Sequence, residues 1–401
     1  MKKVLYEHTS VKDRQIELTS LRNLKMARSA HAYVRGNTAK FYEWLAGKAE
    51  LTVPEGPPVW ICGDCHVGNL GPIANAKGKI QIEIRDLDQT VIGNPAHDLI
   101  RLGLSLASAA RGSDLPGIMT SKMMEQLIEG YEAAFSKEEE SGDMPMPEAV
   151  EAAMRHAIGR KWKQLAQERI KGASPSIPLG KHFWPLTKAE RAAVADLFNE
   201  EKTRRLVTSL RFRDDDASIE VLDAAFWVKG CSSLGNLRIA VLVRVGGSKG
   251  ELCLMDIKEA VDPLAPKYGD VAMPRNNGER VVQGAWHLSP ALGDRMINAE
   301  LLGKTIFLRE LLPQDLKFEI EHLTPEEGTK VAKFLAHIVG KAHARQMDAD
   351  SRAKWLSELK RKRSKTLDAP SWLWTSVVDL VMMHEGAYLD HCRKYALLET
   401  G

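Results

Sequence analysis

Within Ile61-Cys62-Gly63-Asp64-Cys65-His66-Val67-Gly68-Asn69 two kinds of chemistry overlap. Cys62, Cys65 and His66 spell C-x-x-C-H, the spacing that attaches c-type haem and that could offer a soft metal three ligands. Asp64, His66 and Asn69 spell D-x-H-x-x-N, and a second acidic group, Asp86-Leu87-Asp88, follows further on. The soft reading is poorly supported. Haem attachment of this type normally belongs to exported proteins, and "MKKVLYEHTSVKDRQ" turns polar without the apolar core of a signal peptide. No second Cys/His cluster stands nearby for zinc, and a His next to a Cys has little freedom to face the same ion. Cys62 then reads as a small apolar strand residue and Cys65 as a loop filler. The oxygen-donor reading is coherent: a hard divalent cation such as Mg²⁺ takes one or two protein oxygens supplemented by phosphate and water. One carboxylate to orient an attacking hydroxyl, with an Asn and an Asp to hold metal, is the minimum set for phosphoryl transfer.

Two strands have to position these groups. "VWIC" (59–62) is a short apolar run suited to a buried strand, and "KIQIEIRD" (79–86) alternates Ile80, Ile82 and Ile84 with polar residues, the period of a half-buried strand. The motif therefore falls on a loop framed by strands, with Asp86 and Asp88 at a strand end. Upstream, Leu21, Leu24, Ala27, Val34, Phe41, Trp44 and Leu45 recur at roughly helical spacing over 15–50, interrupted at Gly36 and stopped by "TVPEGPP". Leu99, Leu102, Leu106 and Ala110 mark an amphipathic helix beginning near Asp98, and 119–135 reads as another. The charged, proline-broken stretch 136–220 reads as a helical insertion or linker. Composition then shifts. "AAFWVKG", "LRIAVLVRV" and "ELCLMDIK" are β-rich runs joined by "GCSSLG" and "GGSKG", which predicts a compact antiparallel sheet. A helix at about 278–288, a strand at "TIFLREL" and a strong helix through Val331, Phe334, Leu335, Ile338, Val339 and Ala342, ending near "HARQ", complete the chain. The organisation expected is 1–135, 136–220, a β-rich lobe at 221–312, and closing helices at 313–401.

"GDCHVGN" followed by "IRDLDQTVIGNPAHDLIRL" resembles the phosphate-transfer signature of the aminoglycoside phosphotransferase and choline kinase group, itself related to protein kinases. More closely, "YVRGNTAKF", "GDCHVGNLG", "RDLDQT", "HDLIRLGLSLA", "GCSSLG", "DIKEA", "GERVVQG" and "KAHARQ", in that order, resemble a largely uncharacterised bacterial family with kinase-like motifs. The resemblance implies an α+β, protein-kinase-like two-lobe fold, with a small antiparallel β lobe and a larger helical lobe. The fold would be circularly permuted, because Asp64, Asn69 and Asp86 precede Lys258. Chain order is immaterial to a site once folded. It further implies ATP and Mg²⁺ as cofactors, with Asp64 as the catalytic Asp, Asn69 and Asp86 as metal ligands, and Asp88 as a second metal or substrate contact. His66 would match the motif's His and shape the loop, and Asp98 would support the loop through hydrogen bonds. Gly230, Ser232, Ser233 and Gly235 offer backbone N–H groups to triphosphate oxygens, although the same stretch also reads as a plain hairpin turn. Lys258, at a strand end, takes the place of the lysine that grips the α- and β-phosphates, with Glu279 as its partner, or Glu259 or another acid instead. Arg35 reads either as a surface arginine or as one that approaches the site or braces its loop.

With 401 residues, 44% hydrophobic and 27% charged in near balance, the chain is large enough for two cores. Five sparse cysteines suit reduced thiols, and no uncharged apolar run approaches the roughly 18 residues that cross a bilayer. A cytoplasmic protein with no membrane partner is expected. The basic run from Lys360 to Arg363 reads as a solvated helix face, so nucleic acid is not an expected partner. Oligomeric state is not legible. The function expected is transfer of the γ-phosphoryl group of ATP to a hydroxyl of a small molecule or protein. A nucleotidyl (AMP) transferase and a non-catalytic nucleotide-binding regulator are the alternatives, the last opposed by the joint presence of Asp64, Asn69, Asp86 and Lys258.

Overall fold

The computed structural model describes residues 11–47, 53–135, 144–159, 175–209, 213–315, 324–361, 363 and 368–395. The first helical region is three helices, α1 (Val11–Met26), α2 (Ala30–Gly36) and α3 (Thr38–Gly47), rather than one interrupted at Gly36. Caps make the breaks: the Ser29 hydroxyl accepts from the Ala32 N–H, and Asn37 Oδ1 accepts from the Lys40 N–H. Strand β1 (Val59–Ile61) leads into the motif loop, whose last residues form a 3₁₀ turn, Val67–Asn69. β2 (Leu70–Ala74) and β3 (Ile80–Ile84) pair antiparallel, and β4 (Val91–Gly93) returns to pair with β1. Helix α4 (Pro95–Gly112) begins at once, with Asn94 as its cap and Pro95 in its first turn, followed by α5 (Gly117–Ala133) and α6 (Glu148–Gly159).

Next come β5 (Phe183–Trp184), α7 (Lys188–Asn199), α8 (Glu201–Thr208), β6 (Ile219–Trp227), β7 (Arg238–Val245) and β8 (Glu251–Glu259). Then follow α9 (Asn277–Leu288), α10 (Pro290–Gly293), β9 (Met296–Leu301) and β10 (Lys304–Leu311). The strands form a six-stranded antiparallel sheet in the order β5-β6-β7-β8-β10-β9. Strand alternation gives it two faces. Ile239, Val241, Val243, Cys253, Met255 and Ile257 pack with Leu18 of α1, Val194 and Leu197 of α7, and Leu206 of α8. On the opposite face, Ala240, Leu242 and Leu254 pack with Phe183 and Trp227, and the same alternation adds a polar row, Arg238, Asp256 and Lys258.

The chain closes with α11 (Pro325–Ala344), α12 (Ala349–Lys360) and α13 (Ser371–Tyr395). The stripe of Val331, Phe334, Leu335, Val339 and Ala342 is buried in one core with Leu127, Ile128 and Tyr131 of α5 and Leu99, Leu102 and Leu106 of α4. α5 and α11 approach so closely that a Cβ at Gly130 would collide with the Lys333 carbonyl, and one at Gly340 would lie 2.8 Å from the Tyr131 carbonyl. The stretch read as an insertion divides between the cores. Val150 of α6 lies in the helical core, whereas Trp184 and the apolar faces of α7 and α8 lie under the sheet; 136–143, 160–174 and 210–212 fall outside the described residues. All five cysteines are free thiols. Among the described residues no helix is long and apolar enough to cross a membrane.

Candidate functional site

α4 carries a polar stripe, Asp98, Arg101 and Ser105, whose spacing places all three on one helical face. Each is buried, and each holds a different part of the motif loop. The Asp98 carboxylate accepts from the Cys62 N–H at 2.7 Å and the Gly63 N–H at 3.0 Å. Arg101 grips Asp64, its Nε 3.0 Å and its Nη2 2.9 Å from Oδ1. The Ser105 hydroxyl accepts from the Val67 N–H at 3.2 Å. Gly63, with φ +73, lies in the left-handed region, and a Cβ there would run into the Gln89 backbone. Its carbonyl accepts from the Tyr42 hydroxyl. Asp98 is held in turn by a relay: Trp355 Nε1–H donates to the Tyr131 oxygen (3.1 Å), Tyr131 pairs with His343 Nδ1 (2.9 Å), and His343 Nε2 meets Asp98 at 3.2 Å. Because a carboxylate only accepts, His343 donates to Asp98 from Nε2.

The loop is thereby fixed with two oxygen groups available. Asn69 commits both amide hydrogens to backbone, donating to the Asp64 carbonyl (3.1 Å) and the Asp86 carbonyl (2.9 Å), which leaves Oδ1 as its free donor atom. Burial pushes the Asp64 carboxyl above its ordinary range, and Arg101 opposes that rise. His66 Nε2 is 3.9 Å from Asp64 Oδ2. Burial, and then the Arg35 and Arg101 charges, hold its imidazole well below the usual value, so it is neutral.

Lys258 arrives from β8 and completes the centre. Only 4% exposed, it places its ammonium 2.9 Å from Asp86 Oδ1 and 2.8 and 2.6 Å from the two Asp88 oxygens. An ammonium at this depth has to be paired. Burial pushes the Asp86 carboxyl up, but the charge and hydrogen bond of Lys258, with a hydrogen bond to Asp88 and the Arg309 charge, together hold the group below its ordinary range. Asp88 moves the other way, raised by burial and then by the negative charge of Asp86. Beside Lys258 on the same face, Arg238 and Asp256 form a bidentate pair at 2.8 and 2.6 Å, with Arg309 Nε 4.0 Å from Asp256. Asn69 Oδ1, Asp86 and Asp88 are hard donors and fit Mg²⁺ held jointly with phosphate oxygens. Among the described residues no group of three or more His, Cys, Asp and Glu makes a self-sufficient metal cage.

The structure brings Asp64, His66, Asn69, Asp86, Asp88, Asp98 and Lys258 together, but it does not bring Glu279 to Lys258. Glu279 is exposed on the first turn of α9 and accepts from Gln283 Nε2 at 3.1 Å. Glu259 is otherwise engaged too, by the Leu237 N–H (2.7 Å) and Lys304 (2.7 Å). The α9 residue that reaches the site is the next one, Arg280, which is buried and donates to the carbonyls of Asp88 (3.1 Å), Val261 (2.8 Å) and Thr90. An exposed acid beside a buried base is the ordinary result of a 100° step along a helix.

The loop of Gly230, Ser232, Ser233 and Gly235 joins β6 to β7. Both glycines have positive φ, +104 and +115. α1 lies along this loop: Lys25 Nζ donates to the Gly230 carbonyl at 3.0 Å, and Gln15 Nε2 lies 2.8 Å from where a Gly235 Cβ would stand. Ser232 is exposed and Ser233 half-buried. Arg35 sits against the motif loop, its Cζ 2.9 Å from where a Cβ on Gly68 would be. Burial and then the Arg309 charge, with Arg35 adding, pull the nearby Arg85 down to about 10.

Fold and site together define an α+β protein with a buried lysine between two aspartates, set against an acidic loop that a helix braces from below. Over residues 14–394 the chain matches the family described as an uncharacterized protein conserved in bacteria (DUF2252), and it belongs to that family. No curated protein and no solved structure matches it.

Proposed function

We propose that the chain is an ATP- and Mg²⁺-dependent phosphotransferase that moves the γ-phosphoryl group to a hydroxyl of an acceptor. Its frame would be a protein-kinase-like pair of lobes whose catalytic loop precedes its nucleotide lysine in the chain. The observation that carries this reading is the position of Lys258, buried at the end of a sheet strand and bonded to Asp86 and Asp88, with Asn69 and Asp64 on the adjoining loop. Phosphoryl transfer needs positioning and charge neutralisation more than covalent help from the protein. A polyphosphate arriving at the centre gives Lys258 a new counter-charge and releases its two aspartates. Asn69, Asp86 and Asp88 would hold Mg²⁺, which draws charge from the phosphate oxygens when bound. Asp64, oriented by Arg101, accepts the hydroxyl proton as the acceptor oxygen bonds to the γ-phosphorus and the bond to the β,γ-bridging oxygen breaks, releasing ADP. A carboxyl raised by burial is a stronger base than a solvated one.

The test is ligand-linked stability. Mg²⁺ and ATP together should raise the melting temperature, by linkage worth about 2.7 kcal/mol at a hundredfold excess over Kd. Asp86→Asn should remove the Mg²⁺-dependent part of that shift, and an unshifted wild type would rule out the nucleotide.

A further inference from the structure

Around Asp64 the structure gathers more positive charge than its own carboxylates neutralise. Asp64 is taken by Arg101, Asp86 and Asp88 by Lys258, Asp256 by Arg238, and Asp315 by Arg295 at 3.0 Å. Two arginines are left over. The Arg35 side chain makes no hydrogen bond or ion pair with any described residue, and its Nε is buried without a partner although the guanidinium rests on the motif loop at Gly68. Arg85 is fixed to the same loop, its N–H donating to the Asn69 carbonyl at 2.8 Å. Its guanidinium makes no ion pair with a described residue: Nη2 donates to the Asp315 carbonyl at 3.2 Å, and Nε is buried and unpartnered. Arg309 lies beside them, donating to the Arg85 carbonyl at 3.1 Å, with its Nε in an ion pair with Asp256 at 4.0 Å. Arg101 Nη1, His66 Nδ1 and His31 Nδ1 are further buried nitrogens without partners. The charges of Arg309 and Arg35 bear on Arg85, opposed by those of Asp315 and Asp86, and those of Arg35 and Arg101 bear on His66 and His31.

A buried donor left unsatisfied costs about 1–3 kcal/mol, more when charged, and adjacent guanidinium groups repel. A set of such donors beside one loop is an incomplete site, and its missing partner is an anion. Guanidinium forks suit the paired oxygens of phosphate and carboxylate. Lys258 is bonded to Asp86 and Asp88, whereas Arg35 lies against Gly68, on the loop that carries Asp64 and Asn69. We propose that the acceptor is a small molecule carrying an anionic group, which Arg35 and Arg85 bind while its hydroxyl addresses Asp64. The inference rests on the phosphotransferase reading, which calls for an acceptor here.

The full-length protein would be titrated calorimetrically with inorganic phosphate and, in parallel, with malonate, each with and without saturating Mg²⁺ and a non-hydrolysable ATP analogue. One anion should bind both forms of the protein. Tighter phosphate assigns a phosphorylated acceptor, and tighter malonate a carboxylated one. Arg35→Gln and Arg85→Gln should each weaken that anion at least tenfold while leaving the analogue within about threefold, and Lys258→Met should do the reverse. Arg35→Lys, which keeps the charge and loses the fork, should give an intermediate loss and serves if the Gln variant does not fold. The proposal is overturned if neither anion binds the wild type, if the analogue displaces the anion, or if Arg35→Gln or Arg35→Lys weakens the analogue as much as Lys258→Met. Anion binding by a protein that takes no analogue would leave an anion site but remove both the transferase and the acceptor.

Discussion

Lys258 and Asp86 are 172 residues apart in the chain and 2.9 Å apart in the fold. The contact joins a strand of the six-stranded sheet to the connection after β3, and so couples the two cores at one ion cluster. Asp88 makes the cluster a lysine shared by two carboxylates. Such an arrangement is poised to exchange the ammonium for another cation.

Removing the lysine should expose that poise. Lys258→Met leaves Asp86 and Asp88 facing each other, and should destabilise the protein by on the order of 2 kcal/mol, less than a fully buried pair because the Asp86 side chain is half exposed. Urea unfolding measures the loss, and millimolar Mg²⁺ should recover part of it.

Asp64→Asn preserves the shape of the side chain but not its basicity. Mg²⁺-dependent ATP binding should survive, and single-turnover transfer should fall about 10²–10⁴-fold. Transfer at the wild-type rate would show that Asp64 takes no proton.

Asp98 accepts two backbone N–H groups of the loop and meets His343, all out of water. Asp98→Ala orphans these donors and should cost about 3–5 kcal/mol. Asp98→Asn, which keeps one oxygen acceptor, should cost less, and denaturant midpoints at a common m-value distinguish the two.

The protein should be acid-labile in a defined window. Burial pushes His384 down to about 4, and burial followed by the Arg35 and Arg101 charges does the same to His31. A histidine whose folded pKa is depressed binds its proton first in the unfolded chain. Stability is therefore full above about pH 6.5 and lost as the pH falls through 4. For His384, which is 2% exposed, the loss amounts to about 3 kcal/mol at most. His384→Leu should reduce the slope of stability against pH by about one proton between pH 6 and 4, and an unchanged slope would show that His384 does not contribute.

The parts of the site that follow a short period were legible in the sequence. Ile80, Ile82 and Ile84 alternate, so Asp86 falls at a strand end; the run containing Leu254, Asp256 and Lys258 does the same for the sheet. Arg101 and Ser105 carry an equally regular signal, the helical spacing from Asp98, but they sit among leucines and alanines that mark α4 as apolar on nearly every side. A polar stripe inside a wholly buried helix is the sign that would have found them. Charge singles out Glu279 as a partner for Lys258, but a one-residue step decides which side of α9 faces the site, and Arg280 is the residue that reaches it. The surplus of Arg35 and Arg85 was not legible at all, since it depends on which carboxylates other cations have already taken.

The central claim is tested most directly by incubating the protein with Mg²⁺ and ATP labelled on the γ- or the α-phosphate, in parallel, with a small-molecule extract as the acceptor pool. The account predicts that the γ label passes to an acid-stable acceptor, that the α label stays in ADP, and that Asp64→Asn abolishes the transfer. Passage of the α label to the acceptor with release of pyrophosphate would contradict it, as would retention of both labels in ATP.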